Sequence, residues 1–292
     1  MGRQVRILTD SVADVPKAYV DRYQIKVLPA YLVLDGRTFP DDGSLNRDWF
    51  YEQLVHASKP PTTAAPAPLE FLRAYAELAS EGADEIIALV TASRVSSTHD
   101  HALVAAKEFG EAGVHVVDTQ QISMGSGWLA VEAGRLLEQG LPVVKVLDTL
   151  RALPLRTHIF GVLNSIDYLR RSGRVGAIGS YVASLLRIKP LIAFGQGEAR
   201  LLGKTRTFWR GLQEITRRVS AAGPVAHLAV LHSRADTKFI TRFHDELTSR
   251  FSDIDVPVID VGMAFATHVG PGCLGVALVS RPPADQGLVD GD

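Results

Sequence analysis

Short runs of β-branched and apolar residues alternate with segments of helical periodicity through the first half of the chain. No other feature restricts the fold as much. Val5 to Thr9 reads as a strand and is followed, after Pro16, by a periodic segment to Tyr23. A second strand, Lys26 to Leu34, stops at the turn pair Asp35-Gly36. Leu45 to Ala57 has helical spacing with Ser44 placed to cap it, and Leu69 to Ser80 reads as another helix. Glu85 to Val90 is a buried strand, and helix, strand and helix follow over Ser97 to Phe109, Val114 to Asp118 and Met124 to Glu138. A strand that must return through a helix comes back parallel, so the pattern predicts a mostly parallel sheet with crossover helices. Between two of these units, KPPTTAAPAP carries four prolines within residues 60–68, which forbids a helix and forces an extended loop.

The pattern changes after the helix that starts near Gly140-Leu141-Pro142. His158 to Leu163 is strand-like, and IDYLRRSGRVGAIGSYVASLLRI reads as two short helices separated by Gly173. Lys189 to Phe194, the turn Gly195-Gln196-Gly197 and Ala199 to Leu202 form a hairpin pattern. Helices over Thr207 to Ala221 and up to Arg250 alternate with strands at VAHLAVLH, Val256 to Val261 and Leu274 to Ser280. A hairpin mixed with crossovers predicts a mixed sheet. The expected organisation is therefore a two-domain α/β protein. Residues 1–152 form the parallel lobe, residues 153–281 the mixed lobe, and residues 282–292 a frayed tail.

Charge and cysteine content exclude several functional classes. Lys plus Arg total 31 against 32 for Asp plus Glu, a net charge of −1 without the basic excess of a nucleic-acid protein. The only cysteine, Cys273, permits neither an internal disulfide nor a Cys-rich zinc site. The N-terminus lacks the apolar core of a signal peptide, and no apolar run is long enough to span a bilayer. A soluble, unanchored cytoplasmic protein is expected, with no integral membrane segment and no nucleic-acid partner.

Common nucleotide and hydrolase motifs are missing. Gly203-Lys204-Thr205 ends like a phosphate loop, but Glu198 stands where the first glycine is required, and its charge repels phosphate. No G-x-S-x-G elbow exists around Ser126 or Ser180. His99 and His101, and His227 and His232, have spacings that face each pair apart, so a structural role is the expectation for all four.

Three constellations remain. Thr62-Thr63 and the segment TASRVSST (91–98) form hydroxyl-rich loops, the second at the carboxyl end of a buried strand, where open α/β sheets bind ligands. Hydroxyls and the free amides after Ser96 suit one carboxylate or an uncharged polar group better than a polyphosphate, although simple N-capping by Ser96 or Ser97 is the plainer alternative. Arg170, Arg171 and Arg174 form a basic cluster that reads alone as a solvated helix face. In ATHVGPGCLG (266–275), three glycines and a proline surround Thr267 and His268, and a histidine there is a candidate proton handler or hydrogen-bond donor.

Taken in order, these blocks resemble the DegV family of bacterial fatty-acid-binding proteins. LTDSVADVP (8–16) is similar to T-D-S-T-A-D-x-P, PTTAAPAP (61–68) to P-x-T-S-Q-P-S-P, and SRVSST (93–98) to S-x-L-S-G-T. DTQQISMGSG (118–127), DYLRRSGRV (167–175), LLRIKPLI (185–192) and THVGPGCLG (267–275) resemble four further family blocks. The resemblance runs from residue 7 to about 279. Ala64-Ala65 stand in place of Ser-Gln, and Ser97 and Ser172 in place of glycines.

The resemblance implies a two-domain α/β protein with a tunnel near the domain interface that holds one long-chain fatty acid such as palmitate. It implies that Thr63 or Thr62, with Ser93, bonds the carboxylate; Ser96 of the SRVSST block and Thr267 and His268 of the THVGPGCLG block are the further ligand-binding candidates. It further implies that Arg170 and His268 support phosphoryl transfer. A separate ATP-binding kinase subunit would make the acyl phosphate jointly with this chain, which therefore needs no cofactor, no metal and no nucleotide loop. Two alternatives stand beside this reading: a stand-alone transfer enzyme using His268 as acid or base and Arg170 as anion clamp, and a lipid-responsive regulatory sensor.

Overall fold

The computed structural model describes residues 4–57, 59–110, 113–174 and 188–282. The second helix expected within IDYLRRSGRVGAIGSYVASLLRI, part of the LLRIKPLI block and nearly all of the expected tail lie outside these residues.

The first half runs β1 (Val5–Asp10), α1 (Lys17–Tyr23), β2 (Lys26–Leu28), β3 (Tyr31–Leu34), β4 (Arg37–Pro40), α2 (Arg47–His56), β5 (Thr62–Ala64) and α3 (Pro68–Ser80). It continues with β6 (Glu85–Val90), α4 (Thr98–Phe109), β7 (Gly113–Asp118), α5 (Ser123–Glu138) and α6 (Val143–Ala152). The second half contains β8 (Thr157–Val162), α7 (Asp167–Ser172), β9 (Lys189–Gly195), β10 (Glu198–Thr205), α8 (Phe208–Ala221) and β11 (Val225–Ser233). It closes with α9 (Thr237–Arg250), β12 (Val258–Asp260), α10 (Met263–Val269) and β13 (Cys273–Ser280).

The α/β architecture is the expected one: a parallel four-stranded sheet in the order β2-β1-β6-β7, and a mixed six-stranded sheet in the order β10-β9-β8-β13-β11-β12. A third, antiparallel sheet, β4-β3-β5, was not anticipated from the sequence. It arises because the single strand expected over 26–34 is broken at Pro29-Ala30. Proline cannot donate to a ladder. Residues before it pair with β1, and residues after it pair with β4 and β5.

Each large sheet is buried on both faces. In β6, Ile86, Ala88 and Val90 pack under α3 and α4, while Ile87 and Leu89 face the centre of the molecule. In β13, Leu274, Val276 and Leu278 pack toward α8 and α9, while Cys273, Ala277 and Val279 face the same centre. Strands covered on both sides read as continuous apolar runs, which EIIALV and CLGVALVS are. Between the sheets lies α5, buried around its circumference from Ser123 to Ala133, as expected for a helix enclosed by two layers. Its Trp128 donates its indole N–H to the Ala277 carbonyl at 3.2 Å and so ties the helix to β13.

Candidate functional site

In the parallel sheet, β1 is flanked by β2 on one side and β6 on the other, so the chain's order reverses between β1 and β6. Loops leaving such neighbouring strands in opposite directions open a crevice at their carboxyl ends. Those ends are Asp10 and Val90, which Thr91 directly follows. Asp10 is buried and receives the Thr91 amide and hydroxyl, both at 2.8 Å, and the Val12 amide at 3.1 Å. Burial raises its pKa, against the effect of those donors. Asp10 thereby fixes the start of the hydroxyl-rich loop.

A cavity of about 290 Å³ opens from this crevice toward the six-stranded sheet. That volume is close to the lower end of the usual range for small-molecule sites. Its deep wall is apolar, with Ile159, Ile192, Phe194, Leu231 and Phe265 among the lining side chains. Cys273 also lies on the wall, its thiol pushed up to about 12 by burial. Thr63, Ser96, Thr98, His101, Arg174 and His268 supply polar groups to the lining, and His232 and Ser233 of β11 reach it beside Leu231.

Thr63 and His268 meet directly, Oγ1 to Nε2, at 3.0 Å. Thr63 is carried by β5, whose ladder places it opposite Leu32. His268 is carried by α10, so the glycine-rich segment ATHVGPGCLG begins inside a helix. That helix is anchored from the opposite half of the chain. The Gly262 amide donates to Asp14 Oδ1 at 2.7 Å, and the Met263 and Ala264 amides donate to Asp41 at 3.1 and 2.9 Å. Amides at a helix start have no intrahelical partner, and a carboxylate satisfies both their donors and the positive end of the dipole. Burial pushes Asp14 up to about 7 and raises Asp41 as well.

Burial, with Arg174 nearby, pushes His268 down to about 4, so its imidazole is neutral near pH 7. Its Nδ1 is buried without a hydrogen-bond partner among the described residues. Beyond α10, Gly270 has φ of +73°, and an added Cβ would come within 2.2 Å of the Tyr168 ring, which packs α7 against the end of the histidine helix.

The residues singled out from sequence do not all converge. Thr63, Ser96 and His268 line the cavity together. Ser96 shares a hydrogen bond with Thr98, Oγ to Oγ1, at 2.7 Å. Thr62 is exposed on the same short strand. Ser93 is exposed and turned to Asp118, which accepts its hydroxyl at 2.6 Å and its amide at 3.2 Å, and it is not on the cavity wall. Thr267 is buried on the far side of α10, donating to the Met263 carbonyl at 2.8 Å. Arg170 is exposed, 3.3 Å from Asp167, immediately after the cavity-lining Leu169.

Sequence reasoning passed over Thr91 and Thr98 as individual contributors, and over Asp10, Asp14 and Asp41 as supports. The carboxylates act across long sequence separations, which no local pattern signals. His101, read as structural, lines the cavity.

The DegV family, described as "Uncharacterised protein, DegV family", matches residues 4–281. The chain belongs to the DegV family. A DegV domain-containing protein of Streptomyces coelicolor is 34% identical over 285 residues, covering 96% of this chain and 100% of that protein. A Thermotoga maritima protein named as a fatty acid-binding protein is 28% identical over 281 residues, covering 94% of this chain and 97% of its own. Among solved structures, a fatty-acid-binding DegV family protein of Thermus thermophilus superposes with a TM-score of 0.88 at 28% identity, covering 95% of this chain and 100% of that one. A Thermotoga maritima structure described as revealing a fatty acid binding function gives 0.81 at 27% identity, with 96% and 100% covered. No helix among the described residues is long and apolar enough to cross a membrane.

Proposed function

We propose that this DegV protein binds one long-chain fatty acid, such as palmitate, with its chain in the apolar cavity and its carboxylate at the polar end. The observation that carries the reading is the Thr63 to His268 contact on a cavity whose lining combines a large apolar wall with a small set of hydroxyls and imidazoles. A neutral imidazole and hydroxyls can orient a carboxylate without the basic field that a polyphosphate needs. Fifteen buried methylenes supply about 12 kcal/mol of gross transfer energy, at about 0.8 kcal/mol each. Lost ligand freedom and carboxylate desolvation consume much of it. In this reading the tunnel gives affinity, the head group gives orientation, and residues 1–152 and 153–281 act as the two lobes that enclose the ligand.

The same proposal extends to transfer. The acid is presented to a separate ATP-binding kinase subunit in the cytoplasm, where acyl phosphate is formed, with His268 beside the carboxylate and Arg170 outside it. Arg170 suits that part because it is exposed and its pairing with Asp167 is a solvent-screened surface contact, which holds it weakly. Titration of the delipidated protein with palmitate, followed by native mass spectrometry, is expected to show one tightly bound acid per chain. Absence of binding would defeat the reading. The chain alone should make no acyl phosphate from ATP and palmitate, and turnover without a partner would favour a stand-alone enzyme.

A further inference from the structure

His101 lies one helical turn into α4, and its ring lines the cavity on the side of the 62–68 loop. Its Nδ1 is 2.8 Å from the Pro66 carbonyl oxygen. A carbonyl only accepts, so the ring carries its hydrogen on Nδ1, and that bond fixes both tautomer and orientation. Nε2 is then the nitrogen left without a partner among the described residues. No other bond of the ring is present to hold it away from the cavity.

The other imidazoles on the lining are placed differently, and His232 Nδ1 faces Asp260 Oδ1 at 3.5 Å. His268 is neutral, and its Nε2 is already engaged by Thr63. Ser96 and Thr98 hydrogen-bond each other. Arg174, the cation of the lining among the described residues, is exposed and donates to the Ser172 carbonyl at 2.6 Å. An acid entering here meets an Nε2 whose tautomer and orientation the Pro66 bond has already fixed.

We propose that His101 is a further head-group residue, whose Nε2 holds one oxygen of the ligand's carboxyl group while Nδ1 keeps the Thr63 loop in register. The proposal rests on the fatty-acid reading above and deepens it by assigning the selectivity for an acid over a neutral chain. With Nδ1–H committed, Nε2 and a carboxyl oxygen share one proton, as imidazolium with carboxylate or as imidazole with carboxylic acid. A primary alcohol offers a single oxygen and no charge, and it gains less from that pairing.

Two substitutions separate the functions of the ring. In His101→Asn the amide nitrogen falls near Nδ1 and keeps the Pro66 bond but has nothing at Nε2; in His101→Gln the amide reaches the Nε2 position and gives up the loop bond. Delipidated full-length wild type and both variants are titrated with hexadecanoic acid and with hexadecan-1-ol. Expected for His101→Asn is a loss of at least fivefold for the acid and less than twofold for the alcohol; His101→Gln should retain acid binding within about threefold of wild type. Equal losses for both ligands in both variants, or no loss in either, would overturn the assignment. If wild type binds neither ligand, the fatty-acid reading itself fails, a result distinct from wild-type binding that His101 does not influence.

Discussion

Thr63 Oγ1 and His268 Nε2 lie 3.0 Å apart although 205 positions separate them in the chain. The contact closes the cavity between β5, which belongs to the small antiparallel sheet, and α10, which feeds the six-stranded one. Because Nδ1 of His268 is already unpartnered, Thr63 is the imidazole's only hydrogen bond among the described residues. Thr63→Val preserves shape and removes that bond, leaving a buried polar ring with none. The expected cost is about 1–3 kcal/mol in stability. Palmitate affinity measured by calorimetry should fall several-fold, and Thr63→Ser should restore most of it. Unchanged affinity in Thr63→Val would remove the hydroxyl from the head-group site.

Asp14 and His268 impose opposite pH slopes on stability. The folded protein holds a proton on Asp14 up to about pH 7, whereas the unfolded carboxyl releases it near 3.8, so Asp14 makes stability fall as pH rises between those values. His268 accepts a proton only near pH 4 when folded but near 6.5 when unfolded, so its contribution rises with pH over that window and is lost as pH falls. Asp14→Asn removes the first slope while keeping an acceptor for the Gly262 amide, and asparagine tolerates the positive φ of 52° at this position. At pH 8 the variant should be the more stable protein, with an upper bound of about 4 kcal/mol from a shift of roughly three pH units. Melting temperatures recorded from pH 4 to 8 should show the advantage shrinking toward acid. A difference independent of pH would contradict this account.

Asp41 supplies two acceptors to the first turn of α10, so Asp41→Ala leaves the Met263 and Ala264 amides unsatisfied. Loss of such a cap costs about 0.5–2 kcal/mol. The same helix carries His268, Ala264 and Phe265 to the cavity wall, so palmitate affinity should fall together with melting temperature. Asp41→Asn, which keeps one acceptor, should lie between Asp41→Ala and wild type in both measurements. A variant that melts earlier but binds normally would show that the cap does not position the histidine.

The parts of this molecule that could be read from sequence are those whose signal is local. EIIALV, VAHLAVLH and CLGVALVS announce themselves as strands because burial on both faces leaves no polar alternation. The split at Pro29 required knowing which sheet each side joins, which residues 26–34 do not encode. Helix α10 was obscured because seven residues give almost no periodic signal, and its caps are Asp14 and Asp41, 248 and 223 positions from the amides they receive. Motif order drew attention to Thr63 and His268, yet it could not distinguish Ser96 on the cavity wall from Ser93 turned toward Asp118. The spacing of His101 from His99 suggested a structural role, and the carbonyl that orients its ring belongs to Pro66, 35 positions away in the chain.

Gly275 shows why the last glycine-rich block cannot be an ordinary turn sequence. It pairs with Gly161 in the antiparallel β13 to β8 ladder, and a Cβ there would lie 2.1 Å from the Phe160 carbonyl oxygen and 2.7 Å from the Gly161 Cα. Both obstacles are backbone, so rotation of a side chain offers no relief, and the two strands must separate. They form the centre of the six-stranded sheet, and Gly161, Gly275 and Cys273 all line the cavity. Gly275→Ala should therefore destabilise the protein by at least the roughly 1–3 kcal/mol of an overpacked core site, lowering the melting temperature by several degrees and weakening palmitate binding. Gly203→Ala, on the edge strand β10 of the same sheet, where an added Cβ meets nothing within 4 Å, serves as the control and should melt close to wild type. Equal melting temperatures for the two variants would mean that the strands have room to spare at this point of the cavity wall.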